Sequence, residues 1–115
     1  EDEGCVLVAF SEDGGRSFGS PVRVDGGNPI GRVDVVLEDD GSALVSWIED
    51  GTAGLADILL RSVQPDGSLG PPVPVSRTQA SRAAGFPRMA RLGNEVFLTW
   101  TQAARTWLVQ TAVYR

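Results

Sequence analysis

Apolar residues fall in short runs along this chain, separated by stretches that hold Gly, Asp, Asn and Pro. The first runs are Val6–Phe10, Val22–Val24, Val33–Leu37 and Ala43–Ile48, followed by Ile58–Val63 and Val73–Val75. The last three are Pro87–Leu92, Val96–Trp100 and Leu108–Tyr114. All are of strand length and rich in Val, Leu and Ile, and none keeps a 3.6-residue period long enough to make a capped helix. Asp40-Gly41, Asp66-Gly67 and Gly93-Asn94 separate neighbouring runs. Such pairs tolerate the positive φ that a tight hairpin turn requires. The pattern predicts an all-β meander.

A repeat organises the meander. Asp34–Trp47 aligns without gaps on Pro87–Trp100, and the two tryptophans stand 53 positions apart (100 less 47). Each copy leads one strand through a Gly-containing turn into a second strand that ends Ser/Thr-Trp. A second similarity joins Phe10–Val24 to Ser62–Val75, both reading strand, Asp-Gly turn, bulky apolar residue, then Gly-x-Pro-Val-x-Val. The units follow as residues 5–27, the last two strands of one; 28–77, four strands; and 78–115, three strands of a further one. Four antiparallel strands repeating at about fifty residues match a β-propeller blade. A single β-sandwich also gives short strands at regular spacing. In-register repetition of Trp and of Gly-x-Pro-Val-x-Val favours the propeller.

Composition narrows the chemistry. All ten basic residues among the 115 are arginine, and there is no histidine. Lysine Schiff bases, P-loop lysines, histidine bases and histidine metal ligands are therefore excluded. A net charge of -5 without a basic stripe argues against nucleic acid as a partner. Cys5 is the single cysteine, which excludes an intrachain disulfide and a cysteine zinc site. No window is apolar enough to span a membrane as a helix.

Ser11-Glu12-Asp13-Gly14-Gly15-Arg16-Ser17-Phe18 resembles the Asp-box, the bacterial neuraminidase repeat Ser/Thr-x-Asp-x-Gly-x-Thr/Ser-Trp/Phe. Every defined position is filled; a second copy, Asp66-Gly67-Ser68-Leu69, is degenerate. Side chains of this kind bond backbone N–H groups in a turn, and Gly15 supplies an angle that a Cβ resists. Ser11, Asp13, Gly15 and Phe18 are accordingly structural, with Phe18 expected to plug the sheet edge beneath the turn. The competing reading, a metal held by Glu12 and Asp13, rests on two neighbouring carboxylates alone.

The resemblance implies a sialidase-like propeller, with glycan ligands meeting the innermost strands. It implies an arginine cluster for a substrate carboxylate, a tyrosine nucleophile with a glutamate partner, and an aspartate acid/base. The inner strands begin near Arg32-Val33-Asp34 and Phe86-Pro87-Arg88, so Arg32, Asp34, Arg82 and Arg88 are the candidate ligand-binding residues. Gly85-Phe86-Pro87-Arg88 reverses the order of the family's Phe/Tyr-Arg-Ile-Pro motif. Tyr114, the sole tyrosine, is expected to pack between blades rather than act as nucleophile. Trp47 and Trp100 are expected to pack between blades too, whereas Trp107 is freer for a ligand. Glu49–Gly54 reads as a flexible polar loop.

Two functions follow from the resemblance. One is a segment of a secreted or cell-envelope, glycan-directed protein, an exo-alpha-sialidase needing no cofactor. The other is a non-catalytic propeller scaffold, partnered by remaining blades or further copies of itself. Either way the isolated chain is expected to expose apolar flanks and self-associate.

Overall fold

The structure, a computed structural model, describes residues 4–51, 53–79, 85–102 and 108–114. Its described residues form nine strands and no helix. Short strands β1 (Leu7–Val8) and β2 (Val22–Arg23) make the first sheet. The second contains β3 (Pro29–Leu37), β4 (Ala43–Asp50), β5 (Leu55–Val63) and β6 (Val73–Gln79), in that order. The third contains β7 (Gly85–Leu92), β8 (Glu95–Gln102) and β9 (Leu108–Tyr114). Every pairing is antiparallel between chain neighbours, and no sheet closes on itself. With no helix among the described residues, none is long and apolar enough to cross a membrane.

The apolar alternation decides which sheets stack. Along β4, Leu44 and Ile48 point one way and Ala43, Val45 and Trp47 the other, and all five are buried. Leu44 and Ile48 join Ala56, Ile58 and Leu60 of β5 and Val96, Leu98 and Trp100 of β8 in a core between the second and third sheets. Ala43, Val45 and Trp47 join Val6, Val24 and Val63 in a core between the first and second. A side chain of this size stabilises by about 1.5–3 kcal/mol when fully buried, so these two layers hold the sheets together. Trp47 faces the first sheet and Trp100 the second, in both cases the sheet that precedes it in the chain.

Polar groups tie the layers further. The Arg61 guanidinium donates to the Gly70 carbonyl at 2.7 Å and, across the sheets, to the Val24 carbonyl at 2.9 Å. Asp25, whose side chain is fully buried, accepts from Val6 N at 2.6 Å and from Arg23 at 2.9 Å. The Val6–Asp25 bond fastens the β1 segment to the β2 segment, where the ladder itself is only two residues long.

The hairpins turn where the glycine pairs predict. Gly41, Gly67 and Gly93 have φ of 88°, 92° and 60°. In Asp40-Gly41-Ser42 and Asp66-Gly67-Ser68 the aspartate accepts from the serine N–H, at 2.9 Å in both turns, and from its hydroxyl. These bonds lower both carboxyls below the usual range, the serine hydroxyl contributing most.

The structure corrects the ungapped repeat by one residue. Asp34 lies opposite Ser46, but Thr99, the counterpart of Ser46, lies opposite Arg88 rather than Pro87. The β7–β8 turn is tighter: Leu92 pairs with Glu95, whereas Leu37 pairs with Ala43 across a longer connection. Arg88, not Pro87, therefore occupies the register position of Asp34.

Candidate functional site

The two first strands, β3 and β7, approach each other more closely than any other strands of the second and third sheets. Both begin irregularly. The β3–β4 register shifts between Pro29 and Gly31 and again before Asp34, and the β7–β8 register shifts between Gly85 and Arg88. Such bulges re-aim side chains at sheet rims. The backbone at the start of β3 is unusual as well, with Asn28 and Arg32 at φ of 49° and 57°. A left-handed arginine is uncommon, and this one falls where the β3–β4 register shifts, between Gly31 and Asp34.

Of the four sequence candidates, the structure brings Asp34 and Arg88 together. Asp34 Oδ2 accepts from Met89 N at 2.8 Å, Oδ1 accepts from Val35 N at 2.9 Å, and Arg88 Nε stands 4.0 Å from Oδ2. The carboxylate thus clips β3 to β7 through backbone N–H groups. Positioning accounts for both its oxygens. Arg88 is 83% exposed along its side chain, and Arg32, two residues before Asp34, is half-buried. Arg82 lies outside the described residues, as does Trp107.

The octapeptide turn between β1 and β2 is built by its own side chains. Ser11 Oγ accepts from Gly15 N at 2.8 Å and donates to Asp13 Oδ1 at 2.8 Å. Asp13 accepts from Ser17 N at 2.9 Å and from Ser17 Oγ at 2.6 Å. The Ser17 hydroxyl first, then the Ser17 N–H and the Ser11 hydroxyl, lower the Asp13 carboxyl to about 2. Gly15, at φ 91°, takes the angle expected of it. Among the described residues no group of three or more His, Cys, Asp or Glu is arranged to hold a metal.

Phe18 departs from expectation. It is 64% exposed, and it is Phe10 that packs onto the core between the first and second sheets. Gly19 N bonds the Phe10 carbonyl at 2.9 Å, which closes the loop immediately after Phe18. Phe18 instead borders an open groove with Phe10, Glu12 and Pro65.

Trp47, Trp100 and Tyr114 are packed. Trp47 is 0% and Trp100 6% exposed, and Tyr114 packs against the core between the second and third sheets. Tyr114 pairs with Val96, so Glu95 belongs to the opposite face of the sheet. From Arg88, Tyr114 is two strands across and three residues along the ladder, about 14 Å at standard strand spacing and rise.

Two polar anchors were not legible as such. Glu49, expected in a flexible loop, lies within β4. Its Oε1 accepts from the Trp47 indole N–H at 3.1 Å and, across the sheets, from Gly26 N at 2.6 Å. Asp25 carries no motif, and its carboxyl is lowered chiefly by the Arg23 hydrogen bond. The available signal was the Arg-x-Asp spacing, which puts both side chains on one side of an extended chain. No known protein family, curated protein or solved structure matches the chain.

Proposed function

We propose that the chain is a segment of a sialidase-like β-propeller, its three sheets being successive blades, and that it binds an anionic glycan. The observation that carries the reading is one arrangement made twice. An antiparallel sheet packs the tryptophan of its second strand against the preceding sheet, while the first strands β3 and β7 converge. The self-bonded turn at Ser11–Phe18, in the position the Asp-box holds in that family, supports the same reading.

Binding is favoured over hydrolysis for these residues. Arg32 and Arg88 stand at the bulged starts of the converging strands, where a guanidinium can take a sugar carboxylate in two parallel bonds. Hydrolysis needs a nucleophile and a proton donor at the same place. Tyr114 packs in the inter-sheet core on the far side of its sheet, and both Asp34 oxygens accept backbone N–H groups.

The test is a titration of the chain with sialyllactose and with lactose, followed by ligand-observed NMR. Saturable binding of the charged sugar alone, weakened at least tenfold in Arg88→Ala, is the expected result. Equal response to both sugars, or an unchanged affinity in Arg88→Ala, would overturn the reading. A fluorogenic sialoside should be left intact.

A further inference from the structure

Phe18 is 64% exposed, and the turn that carries it makes no use of its ring. The bonds of that turn run among Ser11, Asp13, Gly15 and Ser17. The groove beside Phe18, of about 500 Å³, is lined by the apolar Phe10 and Pro65 and by the carboxylates of Glu12 and Asp13. A second groove, of about 240 Å³, shares Phe10, Gly19 and Pro65 with the first and continues along Val22 to Asp66. Both grooves lie between the β1–β2 connection and the β5–β6 turn, so the first and second sheets each supply a side. Those sides are fixed against each other. Phe10 packs onto the core between the two sheets, and Val22 stands so near Gly67 that a Cβ there would lie 3.4 Å from it.

The charges along the grooves are of one sign. Glu12 is exposed and makes no hydrogen bond or ion pair among the described residues. Asp13 and Asp66 have carboxyls lowered by serine hydrogen bonds, so both are ionised at neutral pH. No arginine lines either groove among the described residues, Arg16 of the same turn included. An exposed ring beside an unpaired carboxylate attracts a cation, the ring through its negative face and the carboxylate through its charge. A guanidinium suits the pair better than an ammonium, because it is planar, stacks on a ring, sheds water more readily and presents a fork to a carboxylate. The net charge of -5 attracts a basic partner from further away. In an extended chain alternate side chains share a face and stand about 7 Å apart. An arginine over Phe18 therefore sets the side chain two residues on over the adjoining groove, against Phe10, Val22 and Pro65.

We infer that these grooves bind an extended Arg-x-Leu segment of a partner polypeptide, its guanidinium stacked on Phe18 and paired with Glu12, its leucine against Phe10 and Pro65. The inference does not depend on the glycan reading.

The probe is a rhodamine-labelled peptide, Ser-Gly-Arg-Ser-Leu-Gly-Ser, titrated with the whole chain and followed by anisotropy. Saturable binding is expected, about tenfold weaker when citrulline replaces the arginine and about threefold weaker when lysine does. Phe18→Ala should weaken it about fivefold and Glu12→Gln about threefold, while Arg16→Gln should not weaken it. Phe18 and Glu12 take no part in the bonds of the turn, so both variants should keep the Asp13 carboxyl titrating at about 2. That measurement separates a lost contact from a lost turn. Absence of saturable binding would overturn the inference, as would equal affinity for the citrulline peptide. Binding that survives Phe18→Ala and Glu12→Gln together would place the peptide elsewhere and overturn it too. So would an oligomer that leaves no site for the peptide, since the grooves then belong to a second copy.

Discussion

Replacing Glu49 with alanine removes one acceptor atom from two donors on two sheets. The two donors fare differently. The Trp47 indole is fully buried, so its N–H would lose its partner without gaining water, a loss of about 1–3 kcal/mol. Gly26 is exposed and water replaces the carboxylate, leaving a net loss of about 0.5–1.5 kcal/mol. The expected destabilisation is thus about 2–4 kcal/mol, or about 8–15 °C in Tm for a chain of this size. Glu49→Gln keeps an oxygen with two lone pairs and should recover all but about 1 kcal/mol. Chemical denaturation followed by tryptophan fluorescence, at a concentration where light scattering shows the mass to be constant, measures both. Trp47→Phe supplies a cycle: combined with Glu49→Ala, it should show a coupling of about 1 kcal/mol. A built-in comparison exists at Trp100, whose buried indole N–H has no acceptor among the described residues, so Trp100→Phe has no such bond to lose there. The reasoning fails if Glu49→Ala stays within about 0.5 kcal/mol of the parent, where surface changes normally fall. It fails equally if Glu49→Gln is as damaging as alanine.

Three further outcomes are expected. Asp13 has its carboxyl lowered from 3.8 to about 2. A group lowered on folding contributes its stability above its unfolded value and loses it as pH falls through the folded one. The turn should therefore loosen between pH 3.8 and about 2, read as the NMR titration of the Asp13 carboxyl carbon, and a midpoint near 3.8 would contradict the hydrogen-bond network. Asp34→Ala should cost about 1–3 kcal/mol by leaving the half-buried Met89 N–H without an acceptor, and amide exchange at Met89 should quicken while that at Trp47 does not. Leu92 and Val109 on the outer face of the third sheet, and Val33, Val35 and Leu37 on β3, are all more than half exposed. Light scattering should therefore show mass rising with concentration, and Val35→Lys with Val109→Lys should suppress it; a constant monomer mass in the parent would refute this.

The strands were legible because period-two apolar runs and positive-φ turn pairs act locally, and both lie open in the sequence. Val96, Leu98 and Trp100 alternate with half-buried neighbours as one-sided burial requires. The continuous run Ala43–Ile48 is the exception that explains itself, since β4 is covered on both faces. What escaped depended on distance in the chain. Glu49 looked like loop because a charged pair before Gly-Thr-Ala-Gly resembles one, and its partner Gly26 is 23 residues away. Asp34 read as a site carboxylate, and only the approach of Met89, 55 residues on, turns it into a clip. The register slip at Arg88 came from a turn one residue shorter, which ungapped comparison conceals. Phe18 was misplaced because motif position says nothing of which of two nearby phenylalanines the core accepts.

The double coverage of β4 makes that strand a party wall. Its odd-numbered side chains answer to the first sheet and its even-numbered ones to the third, so two adjacent residues serve different neighbours. Packing changes at Val45 and Trp47 should couple strongly to each other and weakly to changes at Leu44 and Ile48. Sequence drift on one side of the wall can then proceed without renegotiating the other. A chain assembled from such walls can vary one interface at a time, keeping its backbone while each layer acquires its own fit.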